Sequence, residues 1–163
     1  MSVRVASAVA AVGISVLTAG AMVLAAPAAN ASGYKMSQSA AASALSASGI
    51  THSSSGGCTD RYNSTCTSYE QINSGTVNAM KTLRSASGCA INITGGTEVG
   101  HASGTYSHWN GYKVDASHNS CLDSYVKNSF TYIGYRGDGY PQWQAASGNL
   151  YCDEGNHWDI TVY

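Results

Sequence analysis

The chain has 163 residues, and its eight basic and nine acidic side chains give a formal net charge of −1 at pH 7. This balance argues against a nucleic acid as partner, because binding to nucleic acids depends on clustered positive charge. Only 10% of the residues are charged, so hydroxyl and amide groups supply much of the polar surface, as in many extracellular bacterial enzymes.

The first 31 residues have the layout of a secretory signal peptide. Arg4 precedes a nearly uncharged run over residues 5–26, and small residues follow up to Ala31. The run is almost long enough for a transmembrane anchor, but alanine and glycine dilute it. We therefore expect a secreted protein, cleaved after Ala31, that keeps no stable membrane anchor and forms a single domain over residues 32–163.

All five cysteines follow the expected cleavage site, and an oxidising compartment makes disulfides their default state. Cys58 and Cys66 flank a short polar loop that they can staple. Cys121 and Cys152 are the other candidates for disulfides, whereas Cys89 lies in an apolar stretch that predicts a buried strand thiol. An odd number leaves one cysteine unpaired, and the spacing does not determine the connectivity.

The first part of the domain, residues 32–88, is predicted to be helical with a disulfide-bonded loop. A short helix is expected over residues 36–48, because these residues are mostly alanine and serine with one methionine and one leucine, and Gly49 follows as a helix end. Residues 51–68 are rich in serine, glycine and threonine and predict an irregular surface loop. A second helix is predicted over residues 74–85, where apolar residues recur at helical spacing.

The second part, residues 89–163, contains most of the predicted strands. Residues 89–94 alternate and end at two glycines, and Asn110-Gly111 is a hairpin signal before the next strand. The remaining predictions are strands at residues 112–116 and 157–163 and a short helix at residues 121–129. Helices first and strands later predict an α+β domain with N-terminal helices packed on a small antiparallel sheet.

Four residues of this second part match the requirements of hydrolysis at a zinc ion. Such a site needs three protein ligands, an open position for water and a nearby base. His108 and Asp115 are separated by a glycine-containing turn, which can fold the chain back so that both side chains reach one ion. His157 lies on the last predicted strand, three residues after Glu154.

Two segments around these residues resemble the motifs of a zinc peptidase superfamily. Residues 107–115 read SHWNGYKVD, which is similar to S-x-H-x-x-G-x-A-x-D, and residues 154–158 read EGNHW, which is similar to E-x-x-H followed by an aromatic residue. The superfamily includes D-alanyl-D-alanine carboxypeptidases and dipeptidases, some phage endolysins and the hedgehog signalling domain. Residues 94–101 also resemble the hedgehog version of the strand and loop before the first ligand.

The resemblance implies a fold with one zinc ion held by His108, Asp115 and His157, and Glu154 as the base that takes the proton of the attacking water. It implies that the substrate is a peptide, in particular the stem or cross-link peptides of the bacterial cell wall. Whether the enzyme would be a carboxypeptidase, a dipeptidase or an endopeptidase stays open.

Three further residues are candidates for the site. Glu98 and His101 share the E-x-x-H spacing and can be metal ligands instead, although the glycine-rich loop around them favours a contact with substrate or with a ligand. Asp159 follows His157 by two residues on a predicted strand, so the two side chains share a face. Asp159 can therefore hydrogen-bond a ligand imidazole or compete as a ligand.

One element of the peptidase pattern has no counterpart at the expected place. The peptidases carry an arginine in a preceding S-G-Y-R stretch, where it would stabilise the developing oxyanion, and residues 94–98 contain none. Arg84 and Arg136 are the alternatives that could replace it. The missing arginine also leaves a rival function open, a non-catalytic zinc-containing binding module with the same fold, whereas the presence of Glu154 favours the enzyme.

Overall fold

The protein is described by a computed structural model that covers residues 33–163. The predicted signal peptide and its cleavage site after Ala31 lie outside the described residues. Within residues 33–163, no helix is long and apolar enough to cross a membrane.

The described residues form a mixed α+β structure, which confirms the predicted class. The helices are α1 (Gln38–Ser46), α2 (Ser74–Ser87) and α3 (Ser120–Ser129). The strands are β1 (Lys35–Met36), β2 (Thr51–His52), β3 (Ile72–Asn73), β4 (Asn92–Gly95), β5 (Lys113–Ser117), β6 (Thr131–Tyr135), β7 (Pro141–Gln144), β8 (Leu150–Asp153) and β9 (His157–Thr161).

The three helices lie where the sequence predicts them, and local capping explains their ends. The side chain of Ser37 accepts a hydrogen bond from the Ala40 amide at the start of α1, and the side chain of Asn119 accepts one from the Leu122 amide at the start of α3. Helix α2 ends at Gly88, whose φ of 68° is left-handed and is adopted by glycine without a steric penalty.

The prediction of a small antiparallel sheet was wrong. The main sheet has seven strands in the order β2-β4-β5-β9-β8-β7-β6, and its β2–β4 pair is parallel. A separate two-stranded sheet pairs β1 with β3. The sheet is larger than expected because the tyrosine- and glycine-rich segment after α3 forms β6 and β7. Most β6 side chains are exposed, so this segment lacks the in–out alternation that predicts a strand.

The central strands β5 and β9 separate an apolar core from a polar pocket. Val114 and Ala116 of β5 and Trp158 and Ile160 of β9 are fully buried in the core, together with apolar residues of the three helices. Full burial of a large apolar side chain contributes about 1.5–3 kcal/mol. The side chains between these four residues point to the opposite face, because side chains alternate along a strand. Asp115 lies on that polar face.

Two disulfides join the described cysteines, in agreement with an oxidising compartment. The predicted bridge between Cys58 and Cys66 is confirmed. The second bridge joins Cys89 to Cys121, and Cys152 is a buried free thiol, so the expectation of an unpaired Cys89 was wrong. Cys89 lies between α2 and β4, where the fold brings its Cα within 5.6 Å of the Cα of Cys121 near the start of α3, a distance suited to a disulfide.

Asn110-Gly111 was predicted to be the turn of a tight β-hairpin, but the structure contains no tight hairpin at this position. Strands β4 and β5 pair antiparallel, but the connection between them spans residues 96–112. Gly111 has a φ of 75°, and a Cβ at this position would lie 2.6 Å from the carbonyl oxygen of Gln71. The glycine therefore permits close packing of this long connection against the chain before β3. The connection carries both His101 and His108.

Candidate metal centre

A pocket of about 540 Å³ lies on the polar face of the sheet. The β4–β5 connection, β5, β9 and the β6–β7 turn all contribute to its walls. It is lined by Gly100, His101, Ala102, His108, Lys113, Asp115, Arg136, Asp138, Glu154, His157 and Asp159. Every site residue predicted from the sequence, except Glu98, therefore lines this one pocket.

The three predicted ligands meet at one carboxylate oxygen. His108 Nε2 lies 3.3 Å and His157 Nε2 lies 3.4 Å from Oδ1 of Asp115. Asp115 is held in place by β5, and His157 begins the neighbouring strand β9, where it pairs with Ser117. The antiparallel register thus brings residues that are 42 positions apart in the sequence to the same point of the sheet.

His101 approaches the other oxygen of the same carboxylate. Its Nδ1 lies 3.7 Å from Oδ2 of Asp115, and its ring stacks on the ring of His108 with centroids 3.8 Å apart. The ligand atoms of His101, His108 and Asp115 all lie within 4.8 Å of one another, so this group could hold a metal ion. The tightest group thus contains His101, which the sequence offered only as an alternative ligand, and His157 joins it at Asp115.

In both predicted histidine ligands, the ring nitrogen that points away from Asp115, Nδ1, donates a hydrogen bond to an oxygen atom. His108 Nδ1 donates to the carbonyl oxygen of Gly96 at 2.7 Å, and His157 Nδ1 donates to the side-chain oxygen of Asn156 at 2.6 Å. In a neutral imidazole the other nitrogen then carries the lone pair. Both Nε2 atoms therefore present a lone pair towards Asp115.

Glu98 orients His101 in the same way. Its Oε1 lies 3.1 Å from His101 Nε2, and its Oε2 accepts a hydrogen bond of 2.7 Å from the Ser68 amide. The Gly96 amide donates to both oxygens at 3.0 and 3.1 Å. Burial alone would raise the pKa of Glu98, but the hydrogen bonds from His101, Ser68 and Gly96 outweigh burial and lower this pKa. The ionised carboxylate accepts the Nε2 proton, which leaves the lone pair of His101 on Nδ1.

Asp115 and His108 are both buried, with exposed fractions of 6% and 4%. Burial opposes the charged form of each residue, yet the attraction between their opposite charges lowers the pKa of Asp115 and raises that of His108. Oδ1 of Asp115 has no hydrogen-bond partner among the described residues. An unsatisfied buried acceptor costs about 1–3 kcal/mol. A divalent cation among the three imidazoles would satisfy this oxygen.

Glu154 lies beside the candidate metal ligands. Its Oε2 is 3.3 Å from His157 Nε2, and its Oε1 accepts a hydrogen bond from Arg136 Nη2. The hydrogen bond to Asp138 has the largest effect on the pKa of Arg136 and raises it above its usual range. The hydrogen bond to Glu154 acts in the same direction, and partial burial only partly opposes the two. Arg84, the other arginine considered from the sequence, belongs to α2 and does not line the pocket.

Asp159 faces cations rather than an imidazole. Its Oδ2 accepts hydrogen bonds from Lys113 Nζ at 2.7 Å and from Arg136 Nη1 at 2.9 Å. Lys113 was not among the site residues predicted from the sequence. Its position two residues before Asp115 on a strand is a signal for a shared face. Nothing local in the sequence indicates that Arg136 reaches this pocket from the β6–β7 turn.

Comparisons of the chain with known protein families, with curated proteins and with solved structures found no match.

Proposed function

We propose that the chain is a secreted zinc-dependent peptidase in which His108, Asp115 and His157 hold one zinc ion and Glu154 acts as the base. The observation that supports this most directly is the arrangement around Asp115. Its buried Oδ1 has no hydrogen-bond partner within residues 33–163, and the Nε2 atoms of His108 and His157 lie 3.3 and 3.4 Å from it.

The residues fit zinc both in the type of their ligand atoms and in the hydrogen bonds that orient the histidine rings. Imidazole nitrogen and carboxylate oxygen are common zinc ligands in catalytic sites. The outer nitrogen of a metal-binding histidine almost always donates to a carbonyl or carboxylate group, which fixes the ring for binding. His108 makes this contact with Gly96, so its imidazole is oriented for a cation before any cation binds.

Glu154 is suited to proton transfer in this pocket. A bound zinc ion would act as a Lewis acid, which polarises a carbonyl group and lowers the pKa of the water it binds. Glu154 Oε2 lies 3.3 Å from His157 Nε2, so its carboxylate can take a proton from attacking water and pass it to the leaving amine. Glu154 can therefore act as the base while His108, Asp115 and His157 hold the metal ion.

Arg136 supplies positive charge beside Glu154. The guanidinium is held from three sides by Asp138, Glu154 and Asp159, which fixes its position. A fixed guanidinium in a partly enclosed pocket can stabilise negative charge that develops on the oxygen of the scissile carbonyl group. Arg136 thus takes the role for which the sequence offers no arginine in residues 94–98.

The proposed substrates are the stem or cross-link peptides of the bacterial cell wall. This proposal rests on the resemblance of residues 107–115 and 154–158 to the zinc peptidase motifs. A volume of about 540 Å³ lies in the range of small-ligand sites and is sufficient for a short stretch of peptide. Disulfides and a predicted signal peptide agree with action outside the cell.

The second candidate function is a zinc-containing binding module without turnover. The observation that favours it is His101, whose Nδ1 lies 3.7 Å from Asp115. Added to His108, Asp115 and His157, it would be a fourth protein ligand. Four protein ligands are typical of structural rather than catalytic zinc sites.

The test combines metal analysis with peptide release on purified residues 32–163. Wild-type protein and the control His52→Ala, which alters a histidine on β2 outside the pocket, should contain one zinc per chain. His108→Ala should lose most of it. Zinc with release of fragments from cell-wall peptides supports the peptidase. Zinc without release from these or from a general peptide library supports the binding module, and protein that binds no zinc contradicts both functions.

A further inference from the structure

We propose that His101 is a displaceable fourth ligand of the zinc site, which closes the site at rest and opens a coordination position when it leaves. This inference rests on the proposed zinc-dependent function and specifies how the site would be regulated.

The first argument is the way His101 faces Asp115. Glu98 accepts the Nε2 proton of His101 at 3.1 Å, so Nδ1 carries the lone pair and points to an oxygen of Asp115 at 3.7 Å. When the imidazole is neutral, two acceptors at this distance repel each other, and a cation bound between them removes the repulsion. His108 Nε2 faces the other oxygen of the same carboxylate at 3.3 Å, and the ligand atoms of His101, His108 and Asp115 are close enough for one cation to serve both stacked imidazoles.

The second argument is the support behind His101. Glu98 is 3% exposed, and its carboxylate is fixed by the amides of Ser68 and Gly96. A buried carboxylate that accepts the outer proton of an imidazole is a recurrent partner of metal-binding histidines. The buried carboxylate thus fixes the tautomer of His101 with the lone pair on Nδ1, which is the form that binds a metal ion.

The third argument is that His101 is less firmly held than the other three ligands. Asp115 and His157 belong to paired central strands, and His108 is 4% exposed. The side chains of His101 and His157 are similarly exposed, at 26% and 23%, so the difference between these two lies in the backbone. Within residues 33–163, the backbone of residues 100–103 makes no hydrogen bond. Segments with few backbone hydrogen bonds open at a low free-energy cost.

A second cavity can accommodate the imidazole of His101 after it leaves the metal. It has a volume of about 270 Å³ and lies beside the first pocket, with His101 in the wall of both. The same cavity is lined by Glu98 and Trp109, so a displaced His101 stays near its carboxylate partner. Removal of one of four protein ligands leaves three and an open position, which is the arrangement that catalytic zinc sites need for water.

The test compares His101→Ala with wild type and with the control His52→Ala. Zinc affinity is measured by competition with a chelator, and the coordination of Co²⁺ in place of zinc is measured by its visible absorption. In His101→Ala the affinity should fall by at least about tenfold, and the Co²⁺ spectrum should show replacement of a nitrogen ligand by water. His52→Ala should match wild type in both measurements. A small thiol added to Co²⁺-loaded wild type should produce a sulfur-to-cobalt charge-transfer band while the protein keeps its Co²⁺, because the thiol takes the position that His101 leaves.

Unchanged zinc affinity together with an unchanged Co²⁺ spectrum would show that His101 is not a ligand and would overturn the proposal. Absence of this band in wild type, together with its presence in His101→Ala, would overturn the displaceable character of His101. As a second variant, Glu98→Gln should lower zinc affinity by about 10–100-fold, and wild-type affinity in this variant counts against the proposal. The affinity and Co²⁺ measurements do not depend on turnover, so they remain decisive for His101 even if the protein hydrolyses no peptide.

Discussion

Asp115 on β5 and Asp159 on β9 pair directly across the sheet, and their carboxylates have opposite surroundings in one pocket. Asp115 faces the nitrogens of three imidazoles, and its Oδ1 has no hydrogen-bond partner in the described part of the chain. Oδ2 of Asp159 accepts from Lys113 and Arg136. Within residues 33–163, Oδ1 of Asp159 also lacks a hydrogen-bond partner, so the two carboxylates differ in their neighbours. The three imidazoles suit Asp115 to a metal site, whereas Lys113 and Arg136 pair with Asp159.

Glu154→Gln should separate metal binding from catalysis. The amide keeps the size of the side chain but removes the basic carboxylate, so hydrolysis should fall by about 10²–10⁴-fold while zinc stays stoichiometric. Elemental analysis and peptide release on the same folded preparation measure both effects. Glu70→Gln is the matched control, because Glu70 lies outside the pocket. Loss of zinc from Glu154→Gln would instead identify Glu154 as a ligand.

Arg136→Ala should reduce hydrolysis without removing zinc. Loss of a donor that stabilises a developing oxyanion costs about 10²–10³-fold in kcat, and Arg136 is not a metal ligand. Arg136→Lys keeps one charge but loses the fork that reaches Glu154 and Asp159 together, so its rate should lie between those of Arg136→Ala and wild type. Arg84→Lys on α2 serves as control. A normal kcat in Arg136→Ala would exclude Arg136 from the reaction.

Thiol counting should reproduce the disulfide pattern. Folded protein should expose no reactive thiol because Cys152 is buried, denatured protein should expose one, and reduced denatured protein should expose all five cysteines. Replacing Cys89 and Cys121 together by serine should lower the free energy of unfolding by about 3–4 kcal/mol, because the bridge closes a long loop in the unfolded chain. Mass mapping that finds Cys152 in a disulfide would contradict the structure.

Asp153 should contribute stability that is lost in acid. Burial would raise the pKa of Asp153, but Lys127 and the Gly155 amide, at 3.0 and 3.1 Å, together with His118, lower it. A lowered folded-state pKa gives stability that is present above the unfolded-state pKa of about 3.9 and is lost as the pH falls through the folded-state value.

Asp153→Asn should therefore unfold more easily than wild type at pH 7, by about 1 kcal/mol, and the difference should shrink below about pH 3.9. Thermal unfolding between pH 2.5 and 7 measures this trend. Asp60→Asn, in the exposed loop between Cys58 and Cys66, controls for the general effect of removing a carboxylate. A difference that is independent of pH would mean that the charge of Asp153 does not stabilise the fold.

Local features of the sequence predicted the helices and the central strands. Gly49 indicated the end of the first helix, and in the structure it follows Ser46 by three residues with a left-handed φ of 71°. The alternation from His157 onward predicted β9 because side chains alternate along any strand. The strand at residues 112–116 was predicted from the Asn110-Gly111 pair, and β5 lies there although the pair forms no tight hairpin. The short loop between Cys58 and Cys66 favours their pairing over bridges that close longer loops. These signals extend over a few residues and can be read without the rest of the chain.

The tertiary structure alone decided how distant segments meet. The bridge from Cys89 to Cys121 depends on the placement of α3 beside the end of α2, and the seven-stranded sheet depends on β6 and β7 extending an already formed edge. The same holds for the approach of His101 to Asp115 and of Arg136 to Glu154. These contacts follow from strand order and from burial summed over the whole core, which no local pattern contains. The sequence thus determined which side chains could serve a metal centre, and the packing of the sheet determined which of them share one.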